Sequence, residues 1–539
     1  MVIHIVQRAR PVVGVATVLV LAAACSSSGG RGADRAEVRS SGDAYEVGVI
    51  GAESGGDPVD GGTLTFGAYS EPRSLDPAVS IVAGSTGGLE MAAIYDVLMR
   101  WDSETNTVEP QLAESLEAND DSTVWTLTLR DGVTFSDGTP LNAEAVRWSL
   151  ERYVAKGADE AGLFTNNVTG IDTPDDRIVV FTLATEWPSF DYLLTTGPGM
   201  VVAQSADAGG SFTPVGAGAF TLGSYAPQEE MVLEPREDYW DGPPHLDSIR
   251  IVYLSDPQAR FESFRAGEIG SAFIREPDLV DQALDEGTSG FLNLVALGSV
   301  AVINADEGRP GADPRVRQAM FQAIDPELVV QRAYGGAGIA STAVFPEYSR
   351  WHTDVEPLPH DPEAARALVE EAKADGFDGR ITYLDAQDPA SRATALAVKA
   401  SLEAVGFEVE TDLVPTVADQ VNRVAVNRNY DVAGWGISWR EAGPYGRMYA
   451  TLHEEGNLTV GMPTSPEMSA LINEFQGAGT EDEQSEIMGR IQEQWNIDVP
   501  ALVYGPTPEF LMWSDDLHGV EDTVNSMVLL DDAWLDAGS

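Results

Sequence analysis

The chain has 539 residues, 43% of them hydrophobic, too many for one compact core, so two or three domains are expected. Asp and Glu number 86 against 32 Lys and Arg, giving a formal net charge of -54. A surface this acidic repels nucleic acid and anionic lipid headgroups, which makes both poor partners.

Residues 1–24 read as a targeting segment: Arg8 and Arg10 make a positive start, and Val12 to Ala24 is an apolar or small run. That run falls short of the roughly 20 residues a helix needs to span a bilayer, and no later stretch is long enough either. Cys25, the only cysteine, directly follows Leu21-Ala22-Ala23-Ala24, which resembles a bacterial lipobox. The resemblance implies that Cys25 carries a diacylglyceryl anchor and becomes the mature N-terminus; two or more acyl chains give stable membrane attachment. With no second thiol, disulfides, cysteine metal sites and a cysteine nucleophile are excluded. Ser26 to about Asp60, rich in Ser, Gly, Ala and charge, reads as a flexible tether.

Four Asp-Pro pairs mark helix starts, an N-cap followed by the residue best tolerated at the first helical position. They are Asp256-Pro257, Asp313-Pro314, Asp361-Pro362 and Asp388-Pro389, followed by apolar stripes such as Val316, Met320 and Ile324. Asn142 is placed to cap a helix carrying Val146, Leu150 and Tyr153 on one face. Short β-rich runs lie between: 63–66, 124–130, 178–183, 231–233, 249–253, 381–384 and 407–414. Asp131-Gly132 and Asp137-Gly138 are turn dipeptides that make a hairpin-like corner. Alternating helices and strands predict an α/β protein with mixed sheets.

Several landmarks then occur in order: Gly61-Gly62-Thr63-Leu64, Ser74-Leu75-Asp76-Pro77, Ile94 to Leu98, Gln111 to Leu116, and the long stretch from Trp125 to Leu141. Gly216 to Phe220, Asp238-Tyr239-Trp240 and Asp313 to Met320 continue the series. From residue 61 to the end, the sequence resembles the family 5 extracellular solute-binding proteins, the peptide- and nickel-type binding components of ABC importers. The resemblance implies a two-lobed periplasmic-binding-protein class II-like fold with an extra inserted subdomain. Lobe I is then expected over 61–98, 211–300 and 501–539, the inserted subdomain over 99–210, and lobe II over 301–500. It implies a monomer outside the cytoplasm, on the outer face of the cytoplasmic membrane or in the periplasm. Such a receptor captures a peptide, another small organic molecule or a chelate and delivers it to permease subunits. No cofactor and no resident metal are implied, and the membrane is reached through the lipid alone.

Tyr430 to Glu441 resembles the family strand that lines the ligand cleft. In peptide-binding members the position matching Ser438 is an aspartate that pairs with an α-ammonium. A serine hydroxyl offers only a dipole, which argues against the simplest peptide mode. Candidate ligand contacts from this run are Gly434, Trp435, Gly436, Ser438, Trp439, Arg440 and Glu441, with Tyr445 beyond it. Trp439 is favoured over Trp435 as an aromatic wall, and Arg440 is suited to an acidic ligand group. Ser85 and Thr86 are expected to reach the cleft from the other lobe.

Enzyme readings find no footing. The histidines that remain after His4 leaves with the signal are scattered, and His453-Glu454-Glu455-Gly456-Asn457 lacks the second histidine of a zinc helix. There is no Gly-x-Ser-x-Gly elbow and no phosphate loop. The alternatives from other classes are a sensing lipoprotein that feeds a membrane receptor and an anchored hydrolase.

Overall fold

The computed structural model describes residues 45, 47–51 and 56–536; the targeting segment and Cys25 lie outside them. No helix among the described residues is long and apolar enough to cross a membrane.

In chain order, β1 (Gly48–Ile50) and β2 (Thr63–Ala68) come first, followed by the hairpin of β3 (Met99–Asp102) and β4 (Thr107–Pro110). Next come β5 (Ala113–Ala118), β6 (Val124–Leu129), β7 (Val168–Asp175) and β8 (Ile178–Leu183), an antiparallel sheet in the order β5-β6-β8-β7. β9 (Phe220–Ala226), β10 (Glu230–Pro235), β11 (Ser248–Tyr253) and β12 (Ser271–Ile274) precede the long β13 (Ser289–Ile303). β14 (Arg380–Ala386), β15 (Glu408–Val414), β16 (Val432–Trp435) and the long β17 (Ala501–Trp513) complete the main sheet. Its order is β15-β14-β16-β13-β17-β12-β2-β11-β10-β9, with β1 also on β13.

β13 and β17 run antiparallel through both halves of this sheet, and their pairing breaks in the middle. The register jumps between Val295 and Ser299, where Leu297 takes a left-handed φ of 52°. Opposite the break, Gly505 lies so close to the segment around Ile339 that an added Cβ would stand 2.0 Å from the Ile339 carbonyl oxygen. Beyond the break lie β14, β15 and β16; before it lie β2 and β9 to β12. The result is a two-lobed mixed α/β fold whose halves share two kinked strands.

Local chemistry explains the elements. The Asp256, Asp313, Asp361 and Asp388 side chains each accept a backbone N–H in the first turn of a helix that begins at the following proline. The Asn142 side chain accepts from the Ala145 amide at 2.9 Å. In the four-stranded sheet, Trp125, Leu127 and Leu129 alternate inward with Val179, Phe181 and Leu183. Phe190 closes that core, 5.1 Å from the Phe181 ring and 5.8 Å from Trp125. Asp76, 1% exposed, accepts both Arg152 amino groups (2.9 and 2.6 Å) and Lys156 (3.0 Å), tying the Ser74-Leu75-Asp76-Pro77 turn to the helix Ala143–Ala155.

One expectation is corrected. The tether foreseen over 25–60 does not stay clear of the fold at its end: Tyr45 is buried against the helix Pro277–Asp285, where its hydroxyl donates to Asp281, and β1 pairs with Gly290 to Leu292. Val49 and Ile50 provide the β-forming residues that a polar linker lacks.

Buried carboxyls set a pH dependence. Burial pushes Glu90 up to about 7 and Asp191 and Asp385 up to about 6. It also raises Asp96, beside Asp531, and Glu160, beside Asp159. These folded values exceed the unfolded value near 4, so the folded state holds extra protons and loses stability as pH rises from about 4 to about 7. Asp76 behaves oppositely. Burial opposes its charge, but Arg152 and Lys156 outweigh it and hold the carboxyl low, so its contribution is lost below about pH 4. Melting curves between pH 4 and 8 are expected to be highest near pH 4 to 5 and to fall toward pH 7; a maximum above pH 7 would contradict this balance.

Candidate functional site

The loop after β16 seats on the break in β13. The amides of Ile437 and Ser438 donate to the Leu297 carbonyl (3.0 and 3.3 Å), and that of Trp439 to the Ala296 carbonyl (3.0 Å). Ser438 itself has a left-handed φ of 62°, so strand alternation ends before it. This seating carries Arg440 to the junction of the halves. There its Nη1 donates to the Glu509 carboxylate on β17 at 2.8 Å. Glu509 is 3% exposed and also accepts from the Ser526 hydroxyl, which in turn accepts from Asn293 (3.1 Å). Burial opposes the Glu509 charge, but Arg440 and Arg275 outweigh it and hold the carboxyl below its usual range.

Beside this ion pair opens a cavity of about 480 Å³, within the range of small-molecule sites. Its aromatic lining comes from remote segments: Trp101 at β3, Trp187 and Tyr192 after β8, Trp351, Tyr445 and Phe475. Arg350, Arg440 and Arg447 contribute guanidinium groups, and Asp159, Glu160, Asp191 and Glu455 carboxyls. A second space of about 220 Å³ shares Trp101, Asn106, Arg350, Arg440, Ala442 and Asn525 with it.

The walls are fastened across the cavity. Trp187 meets Tyr445 edge-on at 5.3 Å, and Asn166 donates to the Tyr449 hydroxyl at 2.8 Å. Tyr445 donates to Gln476 (2.9 Å), which donates to Asn167 (2.7 Å). The Arg350 guanidinium stands over Trp101 at 5.3 Å and Trp351 at 4.4 Å. Trp101, Asn166, Asn167 and Trp187 thus meet residues after 340, which fastens segments from before 200 to the far wall.

The sequence-derived candidates divide. Arg440 and Tyr445 line the cavity, and Glu441 lines the smaller space. Glu441 is not free to serve as a charge for a ligand ammonium: its carboxylate accepts from the Ser349 hydroxyl (2.8 Å) and the Arg350 amide (2.8 Å). Trp439 is corrected from pocket wall to core. It is 0% exposed, packs on Phe345 and Trp495 at 5.9 and 6.0 Å, and donates its ring N–H to Thr451. Trp435 packs against the same core.

Gly434 faces Asp385, whose Oδ2 would lie 2.2 Å from an added Cβ, and Gly436 is exposed beside Gly298. Ser438 is absent from the lining, as are Ser85, whose carbonyl accepts from Ser70, and Thr86, whose hydroxyl donates to the Ile81 carbonyl. Their neighbours Ile81, Val82 and Ala83 reach the cavity instead, and the 3-10 turn at Gly84–Thr86 returns the Thr86 hydroxyl to its own chain. Arg350, Tyr192, Trp101 and Trp187 escaped sequence reasoning. Trp187 before Pro188 and Tyr192 after Asp191 are lone aromatics in the sequence, and Arg350 and Trp101 leave no trace at all.

Residues 107–458 match the family model described as bacterial extracellular solute-binding proteins, family 5 Middle. The chain belongs to that family. Among its curated relatives, a probable D,D-dipeptide-binding periplasmic protein of Escherichia coli K12 is 27% identical over 71% of this chain and 76% of its own. The Heme-binding protein A of Haemophilus influenzae is 25% identical over 80% and 84%. The solved structure of the oligopeptide-binding protein AppA from Bacillus subtilis, in complex with a nonapeptide, covers 89% of this chain and 100% of its own. Its TM-score is 0.75 at 20% identity. AgaA of A. tumefaciens with agropinic acid also gives 0.75 at 22% identity, over 89% and 99%. These likenesses establish the two-lobed fold of the family 5 proteins for this chain. The family is one of solute-binding proteins rather than enzymes.

Proposed function

We propose that this family 5 protein is the lipid-anchored receptor of an ABC importer, closing on a small organic solute or peptide and presenting it to the permease. The carrying observation is the aromatic-lined cavity bounded by segments from both sides of the kinked pair β13 and β17. Relatives described as binding dipeptides, heme or glutathione support the reading. We assign lobe I to 61–98, 211–300 and 501–539, the inserted subdomain to 99–210 and lobe II to 301–500, with the hinge at the break near Leu297. Two lobes joined by a bistable hinge give an open-to-closed equilibrium that a bridging ligand shifts.

The test begins with native mass spectrometry of the mature chain purified without denaturant, followed by melting with the copurifying solute and with a peptide library. At a hundredfold excess over Kd the true ligand stabilises by about 2.7 kcal/mol. A chain that carries nothing and shifts with no solute ends the proposal. Cys25→Ser is expected to release the protein from the membrane fraction while leaving ligand binding intact. Retention on the membrane would contradict the anchor alone.

A further inference from the structure

In a chain with 86 acidic and 32 basic residues, three guanidinium groups line one cavity; Arg447 faces Asp159 at 3.8 Å, and Arg350 and Arg440 also keep donors without a hydrogen bond among the described residues. Arg350 spends Nε and Nη2 on the backbone carbonyls of Glu441 and Ala442, at 3.0 to 3.3 Å. Its Nη1 reaches only Glu481, at 3.8 Å, and that carboxylate is 84% exposed. Arg440 gives Nη1 to Glu509, while its Nε and Nη2 make no hydrogen bond among the described residues. Tyr192 lines the same cavity. Its hydroxyl has no hydrogen-bond partner among the described residues, and the charges acting on it are those of Arg440, Glu160, Arg447 and Arg350. Its ring lies against Gly443, where an added Cβ would come within 2.8 Å, so the glycine sets the ring's position.

The carboxyls lining the cavity have partners of their own. Asp159 faces Arg447 at 3.8 Å, and Glu160 accepts from the Tyr153 hydroxyl. Glu455 accepts from Tyr449 at 3.1 Å, and Asp191 from the Tyr192 amide at 2.8 Å. Burial pushes Glu160 up to about 7 and Asp191 up to about 6, toward their neutral forms, which leaves less negative charge on this lining to oppose Arg350 and Arg440. A carboxylate matches the planar fork of an arginine and gains charge-assisted hydrogen bonds there. Trp101, Trp187 and Trp351 provide flat apolar faces beside it.

We propose that the cavity selects an anionic, ring-bearing solute, with its acid group held by Arg350, Arg440 and the Tyr192 hydroxyl, and without a requirement for a free ammonium. This rests on the receptor reading above and names its ligand class. Arg350 and Tyr192 are then the specificity-determining residues, and Arg440 serves both the ligand and Glu509.

Calorimetry with three matched probes tests it: N-acetyl-phenylalanyl-phenylalanine, its C-terminal amide, and unblocked phenylalanyl-phenylalanine. The acetylated acid is expected to bind at least tenfold more tightly than the amide and no more weakly than the unblocked dipeptide. Tyr192→Phe, which keeps the ring, and Arg350→Gln are each expected to weaken the acid five- to fiftyfold and leave the amide unchanged. Equal binding of acid and amide, or variants that weaken both alike, would overturn the acid anchor while leaving the receptor reading standing. Should all three probes fail, the solute found by native mass spectrometry decides: an acid supports the proposal, and a solute with an amine and no acid overturns it. Silence toward every probe with an empty spectrum overturns both readings.

Discussion

Trp439→Ala is expected to destabilise the protein by about 3–5 kcal/mol, the range for removing a fully buried large aromatic side chain. The ring touches Phe345 and Trp495 and is 0% exposed, so its deletion leaves a cavity inside a core that the helices Tyr445–Leu452 and Glu481–Asp498 enclose. Its ring N–H donates to the Thr451 hydroxyl at 3.2 Å, and that hydroxyl donates onward to the Arg447 carbonyl, so alanine also removes a buried hydrogen bond. Thr451 and Arg447 belong to the helix that carries Tyr445, so loosening at Trp439 should also reach the cavity wall. Urea unfolding followed by tryptophan fluorescence measures the loss. An unchanged midpoint combined with abolished ligand binding would mean that the ring is a ligand contact after all.

The contrast between Trp439 and Tyr192 shows what a sequence can carry. Helix starts were legible because Asp-Pro caps act over three residues, and Asp256, Asp313, Asp361 and Asp388 all cap as their chemistry demands. Strands with one face exposed, such as β6 and β8, declared themselves by alternation. β13 and β17 did not. They are buried almost throughout, so Gly290 to Ile303 and Ala501 to Trp513 read as apolar runs without a period; the boundary placed at 300 falls inside β13, while that at 500 lies at the start of β17.

The loop after β16 was legible in part, since Arg440, Glu441 and Tyr445 do approach the ligand space. Extending strand alternation through it failed because the strand stops at Trp435 and the backbone turns left-handed at Ser438. Arg350, Tyr192 and Trp101 come from three segments that only tertiary packing unites, and no spacing could have joined them.

Arg440→Ala is expected to cost about 3–5 kcal/mol at pH 8, because it strands the Glu509 carboxylate in the interior. In the native protein that carboxyl is held below its usual range, so its stabilising contribution is present above the unfolded value near 4.3 and is lost as pH falls through the lower folded value. Without Arg440 the sign reverses. Arg275 remains as a more distant charge, and burial then raises the carboxyl, so the variant regains stability as acid protonates Glu509. The deficit of Arg440→Ala against the native protein should therefore shrink between pH 8 and pH 5. The double variant Arg440→Ala/Glu509→Gln should be more stable at pH 8 than Arg440→Ala alone, since a neutral amide can keep the Ser526 hydroxyl bond without a buried charge.

Urea unfolding of the four proteins at both pH values closes the double-mutant cycle. A small deficit for Arg440→Ala, the same at both pH values, would show that the pair is solvated and does not hold the loop. The placement of the two residues makes the outcome informative about closure as well. Glu509 pairs in register with Asn293 before the break, whereas Arg440 belongs to the loop that follows β16 beyond it, so the ion pair joins the two halves at the edge of the cavity. An acid group arriving from solution adds a second anion to the same guanidinium, which strengthens the closed arrangement without breaking the first contact.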